Sequence, residues 1–293
     1  MVNFVQSTAE FLEFPQVPMS STPFSHLILD MDGVLWHGET PMPGLADFFT
    51  TLSRLGIGFA LATNNATRNA VLYVEKLARF GVTVTAEQIV TSSDAAANHL
   101  RSLYPPGTAV YVVGEVGLQQ AVAAQGFTVV TDPDYTRLNG NIPVVIVGLT
   151  QKVTYNELAC ATLLISRGAT FIGTNPDVTY PSEYGNLPGA GAVVAFVAAA
   201  TGIQPTLIGK PGPILFQEAL RRLNADPATT AMVGDRLETD IVGAQALELQ
   251  TILVLSGISG RDDITRTNIH PNFIYDDIAA LAQSLSQHVA RSV

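Results

Sequence analysis

The stretch LILDMDGVLWHG, residues 27–38, decides the fold. Three apolar residues run into two aspartates one residue apart, Asp30 and Asp32, and Gly33 follows at once. A short apolar run stopped by a turn residue reads as a buried strand. A strand ending in acids sets charge at one edge of a sheet. In an open parallel sheet, the edge beyond the carboxyl ends is where ligands bind.

Outward from this strand, strand-like and helix-like segments alternate. PGLADFFTTLSRLG (43–56) carries Leu45, Phe48, Phe49, Leu52 and Leu55 at helical spacing and closes on a glycine. IGFALATNN (57–65) reads as a strand, NAVLYVEKLARFG (69–81) as a helix and QIVTSS (88–93) as a third strand. That succession predicts a parallel sheet with right-handed crossovers. In the middle of the chain, AVYVVG (109–114), FTVVT (127–131), PVVIVGL (143–149) and TFIGTN (170–175) read as strands. GLQQAVAAQG (117–126) and YNELACATLLISRG (155–168) read as helices, and the Pro- and Gly-rich PDVTYPSEYGNLPGAGA (176–192) as a loop. The first pattern then resumes with the strand PTLIGK (205–210), the helix ILFQEALRRLN (214–224), the strand TAMVGD (230–235), the helix ETDIVGAQALEL (238–249) and the strand QTILVLSG (250–257). The expected fold class is α/β. A Rossmann-like parallel-sheet core occupies 23–91 and 205–293, an inserted α/β domain occupies 92–204, and residues 1–22 form a lead-in.

Composition narrows the function. Of 293 residues, 47% are hydrophobic and 14% charged, enough for a sizeable core. The net charge of −10 argues against a protein that grips nucleic acid or an anionic membrane by electrostatics. The single cysteine, Cys160, excludes an internal disulfide and a cysteine-built zinc site. No apolar run reaches the ~18–20 residues of a membrane span, and the N-terminal stretch lacks the basic start and apolar core of a secretion signal. The expectation is a cytoplasmic protein.

Four predicted core strands carry polar residues at one edge: Asp30-Met31-Asp32-Gly33, then Thr63-Asn64-Asn65, then Lys210, then Gly234-Asp235 with Asp240 beyond. Asp30, Asp235 and Asp240 would repel one another if all were charged and unpaired. A lysine and a divalent cation together neutralise them, and an all-oxygen donor set suits Mg²⁺ better than zinc. The five histidines, His26, His37, His99, His270 and His288, show no ligand spacing. A magnesium-loaded pocket with a lysine suits a phosphate group. Asp30 and Asp32 lie at i and i+2, so one acid can attack phosphorus while the other, held protonated, donates to the departing alkoxide. Lys210, the cation, the Thr63 hydroxyl and the turn amides would then place fixed charge and donors around the transferring group.

The motifs DMDGVL, ATNN, GKP and GDRLETD resemble, in order, the four signature motifs of the haloacid dehalogenase-like (HAD) phosphohydrolase superfamily. The insertion between the second and third motifs, with DGVLWHGETPMPG and GTNPD, resembles the NagD-like branch that includes p-nitrophenyl phosphatases. The resemblance implies that Asp30 is the nucleophile and Asp32 the general acid and base, with the Asp32 carbonyl also a magnesium ligand. It implies that Thr63, Asn64 and amides near Met31–Gly33 hold the phosphoryl oxygens, and that Lys210 stabilises charge on nucleophile and phosphoryl. Asp30 and Asp235 would bind Mg²⁺ by their side chains, with Asp240 close behind. The insertion would act as a cap, contributing Asn175, Pro176, Asp177 and Tyr180 to a small phosphorylated metabolite, and because branch members often form homodimers through it, the resemblance implies a homodimer through the cap. Thr150 stands where many relatives carry an aspartate.

Three functions remain open at this point. The first is hydrolysis of a small phosphomonoester of the sugar phosphate, phosphoglycolate, nucleotide or pyridoxal phosphate type through a phosphoaspartyl intermediate. The second is transfer of the phosphoryl group to a sugar hydroxyl, disfavoured because mutase relatives carry a helical cap nearer the start. The third is a non-catalytic phosphate-responsive module, which would have no use for the proton donor Asp32.

Overall fold

The computed structural model describes residues 24–138, 142–182 and 184–290. The lead-in expected at 1–22 lies outside them. The chain begins with β1 (His26–Leu29), a small hairpin of β2 (Trp36–His37) and β3 (Thr40–Pro41), α1 (Leu45–Leu55), β4 (Gly58–Thr63), α2 (Ala70–Arg79), β5 (Ile89–Thr91) and α3 (Ser92–Leu103). Next come β6 (Ala109–Val113), α4 (Val116–Ala124), β7 (Thr128–Val130), β8 (Val144–Val147), α5 (Tyr155–Ser166) and β9 (Thr170–Gly173). A hairpin of β10 (Thr179–Ser182) and β11 (Gly185–Pro188), then α6 (Ala190–Thr201) and β12 (Thr206–Leu207), precede α7 (Pro213–Leu223) and β13 (Thr230–Gly234). The remainder is α8 (Val242–Gln245), β14 (Gln250–Val254), α9 (Arg261–Thr267), β15 (Phe273–Tyr275) and α10 (Ile278–Ala290).

Two parallel sheets result. The first has six strands in the order β15-β14-β13-β1-β4-β5, and the second has five in the order β12-β9-β8-β6-β7. The first sheet is doubly wound: β4 and β5 extend it on one side of β1, while β13, β14 and β15 extend it on the other. Its strand order therefore reverses beside β1, the place where such sheets open a crevice for ligands.

Alternation along β1 separates two cores. Leu27 and Leu29 join the cluster built with Phe48, Leu52 and Leu281, from α1 and α10. Ile28 joins the opposite cluster with Leu215, Phe216 and Ala96, from α7 and α3. That second cluster continues without a break into Val110, Val112 and Ile146 of the second sheet, so the two sheets share an apolar layer. At roughly 1.5–3 kcal/mol for each large side chain fully removed from water, such clusters supply the main stabilisation. Among the described residues, no helix is long and apolar enough to cross a membrane.

The structure corrects the sequence reading in several places. PTLIGK does not supply a core strand: only Thr206 and Leu207 form a ladder, and they pair with Ile172 and Gly173 of β9 in the second sheet. Lys210 reaches the core edge from a loop. The expected loop 176–192 contains the β10–β11 hairpin and the start of α6. Its prolines are tolerated because a two-stranded ribbon leaves edges where no N–H is needed. The helix expected at 238–249 is regular only over α8; it opens with a wide π turn, Leu237–Ile241.

Candidate active site

Strand register levels the ends that carry the candidate residues. Leu29 pairs with Leu61 of β4 and with Val233 of β13. Asp30 therefore adjoins Ala62 and Gly234, with Thr63 and Asp235 one residue further. The π turn then folds Asp240 back over the end of β13, where Asp240 Oδ2 accepts from the Arg236 amide at 3.1 Å. A π turn at a functional site is a recurring use of this otherwise costly geometry.

Carboxylate oxygens of Asp30, Asp235 and Asp240 lie within 4.8 Å of one another. The Lys210 ammonium sits 2.5 Å from Asp30 Oδ1 and 2.8 Å from Asp240 Oδ1, and donates to the Ala62 carbonyl at 3.2 Å. Among the described residues, Asp240 Oδ1 has no other donor. Asp235 Oδ2 accepts from the Ile258 amide at 2.8 Å. Gly33 and Gly257 make this packing possible, because a Cβ at either position would overlap the Asp235 carboxylate, and Gly33 also holds φ +84°.

Burial and crowding govern the charges. Burial raises the Asp30 carboxyl well above its ordinary range; Lys210 pulls it down, and Asp240 and Asp235 push it up. Burial, then Asp240, lifts Asp235 to about 6 against the pull of the Ile258 amide. Burial opposes the charged form of Lys210, but Asp240 and Asp30 outweigh it and the net shift is upward. Three carboxylates around one ammonium carry an excess of two negative charges, and the protein alone relieves it by holding protons. A divalent, oxygen-seeking cation relieves it with all three acids ionised, so the donor set fits Mg²⁺.

Each remaining candidate has a definite place. Asp30, Asp32, Gly33, Thr63, Asn64 and Asn65 line one cavity of about 870 Å³, as do Asn175, Asp177, Tyr180, Lys210, Asp235 and Asp240. Met31 does not: its side chain is fully buried in the core. The Gly33 amide donates to the Trp36 carbonyl at 2.8 Å, closing the turn. Asn65 Oδ1 accepts from the Thr67 amide and hydroxyl at 2.9 and 2.7 Å, which shapes the loop after β4. Asn175 Nδ2 donates to the Asn64 carbonyl at 2.7 Å, tying the loop after β9 to the loop after β4. Asp177, raised by burial against the pull of Asn64 and Arg236, accepts from Asn64 Nδ2 at 3.1 Å.

Comparison with known proteins decides the family. Residues 27–128 match the family Haloacid dehalogenase-like hydrolase, and residues 207–281 match a HAD-hydrolase-like family. Acid sugar phosphatase of Staphylococcus saprophyticus is 36% identical over 260 residues, spanning 89% of this chain and 97% of the relative. The chain belongs to the haloacid dehalogenase-like hydrolases. Among solved structures, NagD from Escherichia coli K-12 superposes with a TM-score of 0.79 at 34% identity, covering 87% of this chain and 97% of NagD. Glycerol phosphate phosphatase from Mycobacterium tuberculosis, crystallised with magnesium, superposes with a TM-score of 0.80 at 35% identity, covering 90% of this chain and 78% of that one. Within the haloacid dehalogenase-like hydrolases, the chain falls in the NagD-like branch.

This haloacid dehalogenase-like hydrolase also lines its cavity with residues the sequence reading passed over, including Trp36, His37, Arg68, Glu115, Gln151 and Arg236. The edge rule applied to the second sheet would have found two of them. Glu115 follows β6 and Gln151 follows β8, just as Asn175 and Asp177 follow β9. Both sheets turn their carboxyl edges toward one cavity. Glu115 Oε1 accepts from the Gln151 amide at 3.0 Å, and Gln151 Nε2 donates to Tyr180 Oη at 2.8 Å. Thr150 brings no carboxylate, but Glu115 delivers one to the same edge. His37, one of the five histidines without ligand spacing, anchors the loop after β14, its Nε2 lying 2.8 Å from the Ser256 carbonyl.

Proposed function

We propose that this chain is a Mg²⁺-dependent phosphatase for small polar phosphomonoesters of the sugar or polyol class, working through a phosphoaspartyl intermediate on Asp30. The observation that carries this reading is Asp30 grouped with the buried Asp235, Asp240 and Lys210 along one cavity of about 870 Å³. The second sheet's polar edge at the mouth of that cavity, Glu115, Gln151 and Tyr180, suits the hydroxyls of a sugar or polyol. Relatives named as acid sugar phosphatase and glycerol phosphate phosphatase act on substrates of that kind.

Lys210 holds Asp30 Oδ1, which leaves Oδ2 to attack phosphorus. As the new P–O bond forms, the ester P–O bond breaks and Asp32 gives its proton to the leaving alkoxide. Water then attacks the phosphoaspartate, Asp32 takes the proton, and inorganic phosphate leaves with Asp30 restored. Thr63 and Lys210 stabilise the charge of the transferring group. Asp30 and Asp235, with the Asp32 carbonyl, would hold Mg²⁺, with Asp240 behind them; when bound, the ion offsets the charge of the phosphate dianion and lets Asp30 attack as a carboxylate.

The test is release of inorganic phosphate from p-nitrophenyl phosphate and glycerol phosphate, with and without Mg²⁺. Turnover that requires Mg²⁺ and disappears in a folded Asp30→Asn variant is expected. Phosphate release that persists in Asp30→Asn, or that ignores magnesium, overturns the reading.

A further inference from the structure

Asp32 differs from the other acids of the site in being exposed. An exposed carboxylate is free to sample several rotamers, and proton donation suffers when the donor is misplaced. One oxygen of Asp32 is nevertheless fixed, because Trp36 Nε1 donates to Asp32 Oδ1 at 2.8 Å.

The indole that makes this bond is itself clamped. Trp36 is fully buried. Tyr73 stacks against it with ring centroids 6.3 Å apart and an interplanar angle of 17°, and Phe80 packs tilted at 6.1 Å. The Lys76 ammonium lies 4.4 Å from the indole centroid, and Lys76 is only 4% exposed. It also lies 5.9 Å from the Phe80 ring centroid, donates to the Gly38 carbonyl at 2.5 Å and sits 3.5 Å from Glu39 Oε1. Tyr73 and Lys76 stand three apart on α2, so one helix face supplies both clamps.

We propose that Lys76, Trp36 and Asp32 form a positioning relay for proton transfer: the Lys76 cation seats the indole, and the indole N–H fixes Asp32 Oδ1 so that Oδ2 delivers the proton. With Oδ1 engaged by the indole, Oδ2 is the oxygen left to meet the leaving group. A cation over the ring draws electron density from it and strengthens the N–H as a donor. The relay rests on the reading of Asp32 as general acid. Trp36 and Lys76 are positioning residues; neither touches the reacting atoms.

Leaving groups separate this role from a structural one. Nitrophenolate departs without a proton, whereas the alkoxide of glycerol needs one. The measurement is kcat/KM, which reports events through the first P–O cleavage, for p-nitrophenyl phosphate and glycerol phosphate with Mg²⁺ present. Trp36→Phe keeps the ring and removes the N–H; it should lose roughly ten- to a hundredfold on glycerol phosphate and about threefold or less on p-nitrophenyl phosphate. Lys76→Met should show a smaller loss with the same selectivity, and Lys76→Arg should restore it. Asp32→Asn is the reference: if its loss is not selective for glycerol phosphate, the acid assignment itself fails. If Asp32→Asn is selective but Trp36→Phe and Lys76→Met lose equally on both substrates, or lose nothing, the relay alone is overturned. Adding Trp36→Phe to Asp32→Asn should cost nothing further on glycerol phosphate, and additive losses contradict the relay. Should Trp36→Phe fail to fold by circular dichroism, Lys76→Met decides, because it keeps the indole and its N–H and removes only the cation that seats them.

Discussion

Asn64 and Lys210 clasp each other through the Lys210 backbone: the Lys210 amide donates to Asn64 Oδ1 at 2.7 Å, and Asn64 Nδ2 donates to the Lys210 carbonyl at 2.9 Å. The second Nδ2 proton goes to Asp177 Oδ2 at 3.1 Å. Asn64 is thus engaged in setting the lysine between Asp30 and Asp240. Asn64→Ala should lower thermal stability by roughly 1–3 kcal/mol for the backbone groups left unpaired. It should also lower kcat by about tenfold to a hundredfold as Lys210 drifts. Asn64→Asp, nearly the same shape, should be worse, because a carboxylate oxygen then faces the Lys210 carbonyl and Asp177. Thermal melts beside kcat and KM check this. A raised KM with unchanged stability would instead mark Asn64 as a direct phosphate ligand.

The acid cluster sets a pH dependence whose sign can be worked out. Burial, then Asp240, lifts Asp235 from 3.8 to about 6, and burial lifts Asp30 in the same direction. A carboxyl with a folded value above its unfolded value binds its proton more tightly when folded. Its contribution is complete below the unfolded value and is lost as pH rises through the folded one. Metal-free protein should therefore lose stability as pH rises from about 4 through about 6. Magnesium should oppose that loss, so the gain in Tm on adding Mg²⁺ should be larger at about pH 7.5 than at about pH 5. Equal gains at both pH values would count against these acids as the magnesium ligands.

The opening stretch reads truly in the sequence because its signal is local. An apolar run, two acids and a glycine fix a strand, its end and its turn, and register brings β4 and β13 level with it. Lys210 was legible as a residue but not by its route, because a two-residue strand such as β12 leaves no periodicity to read. The helix α6 was lost for a related reason: AGAVVAFVAAAT is apolar all round, and without a polar face no helical period stands out. Asn64 shows the limit most sharply. A polar residue at a strand end announces the edge of a site, but whether its amide grips substrate or backbone depends on a residue 146 positions away. Glu115 and Gln151 needed the orientation of the second sheet, which no local pattern encodes.

Gly257 offers a test of the magnesium site that leaves Asp30 untouched. A Cβ there would overlap Asp235 Oδ2, and the adjacent Ile258 amide is the donor that orients the same oxygen. Gly257→Ala should push Asp235 aside. Loss of such support behind a ligand typically weakens metal binding by about tenfold to a hundredfold. The Mg²⁺ concentration giving half-maximal hydrolysis of p-nitrophenyl phosphate should rise by that order, with activity recovered at high magnesium. An unchanged magnesium requirement in folded Gly257→Ala would remove Asp235 from the ligand set.

The polar edge of the second sheet should set substrate preference. Gln151 joins Glu115 and Tyr180 into one unit at the cavity mouth, its amide bonded to Glu115 Oε1 at 3.0 Å and its side chain to Tyr180 Oη at 2.8 Å. A hydroxyl-rich substrate can exchange hydrogen bonds with the Tyr180 hydroxyl and the Glu115 carboxylate; a nitrophenyl ring cannot. Tyr180→Phe removes one such partner, a change of about 1 kcal/mol or roughly fivefold. KM for glycerol phosphate and hexose phosphates should rise by that order while kcat holds, and p-nitrophenyl phosphate should be hydrolysed as before. Binding lost equally for ground and transition states raises KM alone, so a fall in kcat on every substrate would place Tyr180 in the catalytic machinery instead of the specificity edge.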